Sequence, residues 1–267
     1  MHPVRQYMSG VDPSGLMPGA EPFFFEAGPV GCLLLHGWGG TCDSMRYLGT
    51  RLHEAGITVF APLLPGAGTS PADLGETRAA DWVHAAEDHL LGLHQACPTL
   101  FVAGLSMGGI MTLYLGEMFP HLVRGIIPIN AGVYVGSPEL ANMAFRRDLP
   151  AIVPSWDDSV LLKDRSVTEV AYRQIARTTI IDVLGLAKTV EEMLPILTVP
   201  ILMLQSKDDR VLPPGNAPYI LKRIASKDKC HVVLEDSYHV ATMDYDRDRI
   251  AQEVLVFVQA RITDGHE

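Results

Sequence analysis

Six short apolar runs punctuate the chain, at 30–35 (Val-Gly-Cys-Leu-Leu-Leu), 57–61, 99–104, 125–129, 200–205 and 230–235. Most show no alternation of apolar and polar positions, so they are predicted to be strands covered on both faces. Helical spacing fills the intervals, at 43–55, 79–95, 107–118, 215–225 and 246–262. In the second of these, Trp82, Val83, Ala86, Leu90 and Leu93 make one stripe, Asp81, Glu87 and Asp88 lie elsewhere, and Pro98 follows. That is the pattern of a surface helix packed on a sheet. Strand and helix in regular alternation predict a mostly parallel sheet built from βαβ units, an α/β fold.

The rhythm breaks between 131 and 195, where no strong strand pattern appears and Pro138, Pro150, Pro154 and Pro195 interrupt the chain. An insertion after a strand end lies over the carboxyl edge of the sheet, where open α/β folds bind ligands. The expected organisation is therefore a core of 1–130 and 196–267 with a small, mostly helical cap at 131–195. Repeats and low-complexity segments are absent.

Composition narrows the function. Apolar residues are 48% and charged residues 19%, enough to bury a core. A net charge of −10 argues against a surface that tracks nucleic-acid phosphates or holds anionic lipid through basic residues. Met1 to Pro29 lacks the charged and apolar regions of a secretion signal, and Phe23-Phe24-Phe25 is far too short to serve as one. No run approaches the roughly 18 apolar residues of a membrane span. A soluble, cytoplasmic protein is expected. Cys32, Cys42, Cys97 and Cys230 show no metal-ligand spacing and read as buried free thiols. No cofactor or metal is expected.

Gly104-Leu105-Ser106-Met107-Gly108 is a G-x-S-x-G motif, preceded by a predicted strand and followed by a predicted helix. Such a turn strains the serine backbone and pushes the hydroxyl outward, while the flanking glycines leave room for the close approach. The segment lacks the lysine of a phosphate-binding loop and the G-x-G-x-x-G spacing of a dinucleotide site. A serine hydroxyl needs a base to take its proton. Of ten histidines, His84, His89 and His94 fall on or near the polar side of a helix, and His2 and His266 are terminal. His121 follows Pro120, and His231 lies within a strand. His239, in the loop between the last strand and the last helix, stands where the chain order Ser, acid, His requires the base. The acid must follow the penultimate strand, where Asp208 and Asp209 are adjacent; the residues alone do not separate them. His36-Gly37-Trp38-Gly39-Gly40 follows the first clear strand, and its glycines let the backbone approach a reacting carbonyl. Amides of Trp38 and Met107 are the expected oxyanion donors.

These motifs, with Ser206-Lys-Asp-Asp-Arg-Val-Leu-Pro-Pro-Gly-Asn-Ala and Ser237-Tyr-His-Val-Ala-Thr-Met-Asp-Tyr-Asp, resemble the bacterial monoacylglycerol lipases and related carboxylesterases. The similarity runs from about 30 to 260 and implies the α/β-hydrolase fold. In that family one residue, two aliphatics and Pro-Pro follow the catalytic aspartate, which implies Asp209. The resemblance also matches Trp38 and Met107 to the family's oxyanion donors. Val167-Thr-Glu-Val-Ala-Tyr resembles the stretch bearing a glutamate that meets glycerol hydroxyls, implying Glu169. The chain departs from the family at Trp38, usually Phe, and around 137–165.

Hydrolysis of monoacylglycerols is the expected activity. General carboxylesterase action on short or xenobiotic esters is the alternative, ahead of acyl transfer to an alcohol or a non-catalytic receptor. Met143, Phe145, Ile152, Val153, Trp156 and Leu161 are candidates to line an acyl channel, with packing of the cap on the body as the other role open to each. Trp156 is the one singled out for substrate binding. The expected partner is a small-molecule ester, with transient contact to lipid surfaces through the cap.

Overall fold

A computed structural model of the protein describes residues 2–134 and 136–263. Among the described residues nine strands form: β1 (Phe23–Phe25), β2 (Val30–Leu35), β3 (Thr58–Ala61), β4 (Thr99–Leu105), β5 (Val123–Ile129), β6 (Ile152–Pro154), β7 (Gln174–Ala176), β8 (Ile201–Ser206) and β9 (Lys229–Leu234). The helices are α1 (Pro3–Gly10), α2 (Asp43–Glu54), α3 (Pro71–Gly75), α4 (Ala79–His94), α5 (Met107–Met118), α6 (Pro138–Phe145), α7 (Asp158–Leu161), α8 (Thr179–Met193), α9 (Asn216–Arg223) and α10 (Arg247–Thr263). The six predicted strands are β2, β3, β4, β5, β8 and β9, displaced by at most two residues at either end.

The main sheet runs β1-β3-β2-β4-β5-β8-β9. Every pairing is parallel except that of β1 with β3, where Phe23 faces Ala61 across an antiparallel edge. The phenylalanine triplet is thus a strand that its short length concealed. Strands β2, β3 and β4 are almost entirely buried, as their unbroken apolar runs require.

The two sides of the sheet carry separate cores. Leu33, Leu35, Phe60, Leu100 and Val102 pack with Trp82, Leu90 and Leu93 of α4 and with α5. Cys32, Leu34, Val59, Phe101 and Ala103 pack with α2 and α10 on the opposite side. Successive side chains of each strand therefore serve opposite faces. Helix α5 is buried almost all round, so it behaves as a core helix rather than a surface one.

The 131–195 segment carries α6, α7 and α8 and adds a strand pair the sequence pattern did not show, with Ile152 opposite Ala176. Its last part joins the body, because Leu186, Ala187, Val190 and Leu194 lie in the core on the α4–α5 side. Among the described residues, no helix is long and apolar enough to cross a membrane.

Three side chains differ from their expected placement. His89 is wedged edge-on between Tyr7 and Phe60, with ring centroids 4.6 and 5.2 Å away, so burial pushes it down to about 4. Helix α1, invisible in the pattern, docks on α4 and covers it. Cys230 is exposed whereas the other three thiols are buried, because it lies on the outer strand β9. Phe145 is 73% exposed at the end of α6, so it lines no channel.

Glu117 occupies the last turn of α5, buried, with no hydrogen-bond partner for either carboxylate oxygen among the described residues. Burial pushes it up to about 8, and a negative charge at a helix C-terminus is disfavoured by the dipole. An ordinary glutamate ionises near 4.5, so between pH 4.5 and about 8 the folded state holds a proton the unfolded state has lost. Stability therefore falls as pH rises across that window. Glu117→Gln is expected to flatten this decline and to melt a few degrees higher at pH 9, at about 2–4 °C per kcal/mol for a chain of this size. Thermal melts from pH 5 to 9 check this; parallel pH curves for the two proteins would count against it.

Candidate active site

β4 ends at Leu105 and α5 begins at Met107, which leaves Ser106 alone to make the turn. Its φ of 56° and ψ of −116° are strained for a residue with a Cβ. The turn fits only because its neighbours are glycines: a Cβ on Gly104 would stand 2.2 Å from the Gly108 carbonyl oxygen, and one on Gly108 would stand 2.1 Å from that of Leu35. Ser106 N–H donates to the Ile129 carbonyl at 2.9 Å, fixing the elbow to the end of β5.

His239 Nε2 lies 2.9 Å from Ser106 Oγ, and its Nδ1 lies 3.0 and 2.9 Å from the two oxygens of Asp209. Asp209 Oδ1 also accepts from the backbone N–H groups of Val211 (2.8 Å) and Leu212 (3.0 Å). Burial alone would raise the Asp209 carboxyl; the facing imidazole and the two amides outweigh it and hold the carboxyl below its ordinary value. Asp208 is exposed. The loop bearing His239 is shaped by two carboxylates downstream. Asp244 accepts from Tyr238 N–H at 2.9 Å, and Asp246 accepts from Asp236 N–H at 2.7 Å and from the Ser237 hydroxyl at 2.8 Å.

Trp38 and Met107 both line the cavity that exposes Ser106 and His239. Met107 is the first residue of α5, so its N–H has no acceptor within the helix. The loop carrying Trp38 is pinned by buried His36, whose Nε2 accepts from Leu64 N–H at 3.1 Å. The proton must then sit on Nδ1, which donates to the Gly37 carbonyl at 2.9 Å. Burial pushes this imidazole down to about 4 and keeps it neutral. In the sequence His36 shows only as the leader of a glycine turn, and nothing local marks this role. The Trp38 indole reaches the 131–195 segment, donating to Thr179 Oγ1 at 3.1 Å and meeting Trp156 edge-on.

The cavity holds about 770 Å³ of empty space, the open solvent at its mouth included. Leu140, Trp156, Leu161, Val183, Val211 and Leu212 make its wall largely apolar. Leu161 and Trp156 are thus at the site, whereas Val153 packs within the 131–195 segment against Ile175 and Ile180. Met143 and Trp156 face an adjoining groove with Leu140 and Ile175, and Ile152 is engaged in the strand pair.

Glu169 lines the same cavity and is 5% exposed. It lies in an irregular stretch. That stretch lies across the Trp38 loop: Tyr172 N–H donates to the Gly39 carbonyl at 2.8 Å, and Thr41 Oγ1 donates to the Val170 carbonyl at 2.7 Å. No described group hydrogen-bonds the Glu169 carboxylate, and burial pushes it up to about 7 against the lowering pull of His239 and Arg173. Among the described residues no cluster of His, Cys, Asp or Glu could hold a metal; His266 lies outside them.

A doubly covered parallel sheet with a serine on a strained strand-to-helix turn, a histidine against its hydroxyl and a carboxylate behind the histidine defines a serine hydrolase of the α/β-hydrolase fold. Residues 30–246 match the family model Hydrolase_4, serine aminopeptidase S33, and the chain belongs to that family. It is 42% identical to a thermostable monoacylglycerol lipase of Bacillus sp. (strain H-257) over 91% of this chain and 95% of that one. It is 27% identical to a carboxylesterase of Bacillus subtilis (strain 168) over 90% and 96%. A solved structure from work on LipS and LipT, two metagenome-derived lipolytic enzymes, superposes with a TM-score of 0.89 at 38% identity, covering 92% of this chain and 99% of that one. The protein is a carboxylic ester hydrolase.

Proposed function

We propose that the protein hydrolyses monoacylglycerols to a fatty acid and glycerol through an acyl-enzyme. His239 takes the proton of Ser106 as the hydroxyl attacks the ester carbonyl, and Asp209 stabilises the imidazolium that forms. The amides of Trp38 and Met107 receive the oxyanion. His239 then protonates the departing glycerol oxygen, and afterwards draws a proton from water as it attacks the acyl group. Trp156 and Leu161 offer apolar surface to the acyl chain, in keeping with a core of 1–130 and 196–267 and a cap of 131–195.

The observation that carries the substrate assignment is Glu169, a buried carboxylate with no hydrogen-bond partner among the described residues, in a largely apolar wall. A glycerol leaving group brings two free hydroxyls, and a carboxylate accepts from both. Hydrogen bonds to charged groups are worth roughly 1.5–3 kcal/mol each, so Glu169→Gln is expected to reduce the preference for a monoacylglycerol over the methyl ester of the same acid by about 10- to 100-fold. The wild-type preference should rise as pH passes through about 7, where Glu169 becomes charged, and the Gln variant should lose that rise. Values of kcat/KM on the two esters from pH 6 to 8 supply the check. An equal loss on both would leave general carboxylesterase action as the reading, which similarity to the Bacillus subtilis carboxylesterase supports.

Two further assignments accompany this one. Four cysteines without a disulfide fit the reducing cytoplasm. Phe145, exposed beside Arg146 and Arg147, suits brief contact between the cap and a lipid surface that presents the substrate.

A further inference from the structure

Asn130 directly follows β5, is fully buried, and has a φ of 44°. Asparagine tolerates this left-handed conformation better than most residues. Its side chain leaves no polar atom idle. The two Nδ2 hydrogens are shared among three acceptors, the carbonyls of His239 (2.7 Å) and Tyr238 (3.2 Å) and Ser206 Oγ (2.9 Å). Oδ1 accepts from Ser206 N–H at 2.6 Å and from Gln205 Nε2 at 3.1 Å. Ser206 Oγ in turn donates to the Tyr238 carbonyl at 2.7 Å, and Gln205 Nε2 reaches Asp209 Oδ2 at 3.4 Å. Meanwhile the backbone N–H of Asn130 donates to the Leu204 carbonyl at 2.9 Å, and its neighbour Ile129 holds the Ser106 amide.

One amide thus joins three separate pieces of chain: the strand end behind the serine, the strand end before the acid, and the loop carrying the base. We infer that Asn130 is a positioning residue that sets the His239 imidazole between Ser106 and Asp209, an inference that rests on the triad assigned above. The reason is geometric. His239 is attached to the body through a loop, and its ring is placed by where its own carbonyl is anchored. The two carbonyls at Tyr238 and His239 need buried donors, and Asn130 supplies a donor to each while its acceptor face locks the β8 end. Loss of that anchor lets the ring move away from Ser106 without touching the cavity wall. Misplacement of a reacting group by about 1 Å costs on the order of 100-fold, so the effect should fall on kcat and not on KM.

The test is a double-mutant cycle. Asn130→Gly keeps the backbone conformation and removes the side chain; it is expected to lower kcat about 10- to 100-fold with KM little changed. In an Asp209→Asn background, where the imidazole is already misaligned, most of that loss should disappear, since groups acting as a unit are non-additive. Equal losses in both backgrounds, or a loss confined to KM, would overturn the inference. Should Asn130→Gly not fold, Ser206→Ala removes one node of the same network and should lower kcat less, by about 3- to 10-fold, again with coupling to Asp209; additivity there would equally overturn it. A full-rate Asp209→Asn enzyme would instead show that the triad assignment itself had failed.

Discussion

Ser106→Ala is expected to lower ester hydrolysis by about 10³- to 10⁶-fold while leaving the fold intact, since triad members act as a unit and removal of one removes most of their joint effect. The folded state should survive because the strained turn is held by other atoms. The Ser106 amide is bonded to the Ile129 carbonyl, and the flanking contacts belong to Gly104 and Gly108. The hydroxyl's hydrogen bond is to His239 Nε2, so alanine vacates one contact and keeps the Cβ in place. Residual activity should come from the oxyanion donors and from binding alone. Steady-state turnover of a chromogenic ester, with a thermal melt of the same sample, measures both halves of the expectation. Wild-type-like turnover in a folded variant would place the nucleophile elsewhere.

A comparable loss is expected from Asp209→Asn, about 10⁴-fold in kcat as in related triads, against little change for Asp208→Asn. The asparagine can still accept from the Val211 and Leu212 amides through Oδ1, so the turn should persist. The amide nitrogen, however, would face His239 Nδ1 and donate to it. That forces the ring proton onto Nε2, the atom that must accept from Ser106, and the base is held in the wrong tautomer. Asp208 is exposed and has no part in this chain of bonds. The two variants should be compared on one ester at one pH. The reverse ranking would assign the acid to Asp208.

Much of the fold is legible in the residues because burial on both faces of a parallel strand permits only apolar side chains. Runs such as Val30 to Leu35 and Thr99 to Ala103 therefore identify themselves, and with them the positions of the strand ends that carry the site. The motif around Ser106 is legible for a related reason: its glycines stand where any side chain would collide with backbone. Short elements are not legible in this way. β1 and the β6–β7 pair are three residues each, too short for a period to show, and they exist because neighbouring strands offer them hydrogen bonds.

The sequence by itself determined that a serine, an acid and a histidine follow three strand ends in the order of an α/β hydrolase. It left Asp208 and Asp209 equivalent from their residue types, and resemblance alone favoured the second. Only the tertiary structure turns Asp209 inward onto two backbone amides and the imidazole. In the same way, nothing in the residue types of Val167-Thr-Glu-Val-Ala-Tyr marks its glutamate as buried, yet an irregular stretch lying over the Trp38 loop buries Glu169 in the cavity. Asn130 carries no local signal at all. Its five side-chain hydrogen bonds reach residues 75 to 109 positions away along the chain, and contacts of that range are set by the sheet order, which no local pattern encodes.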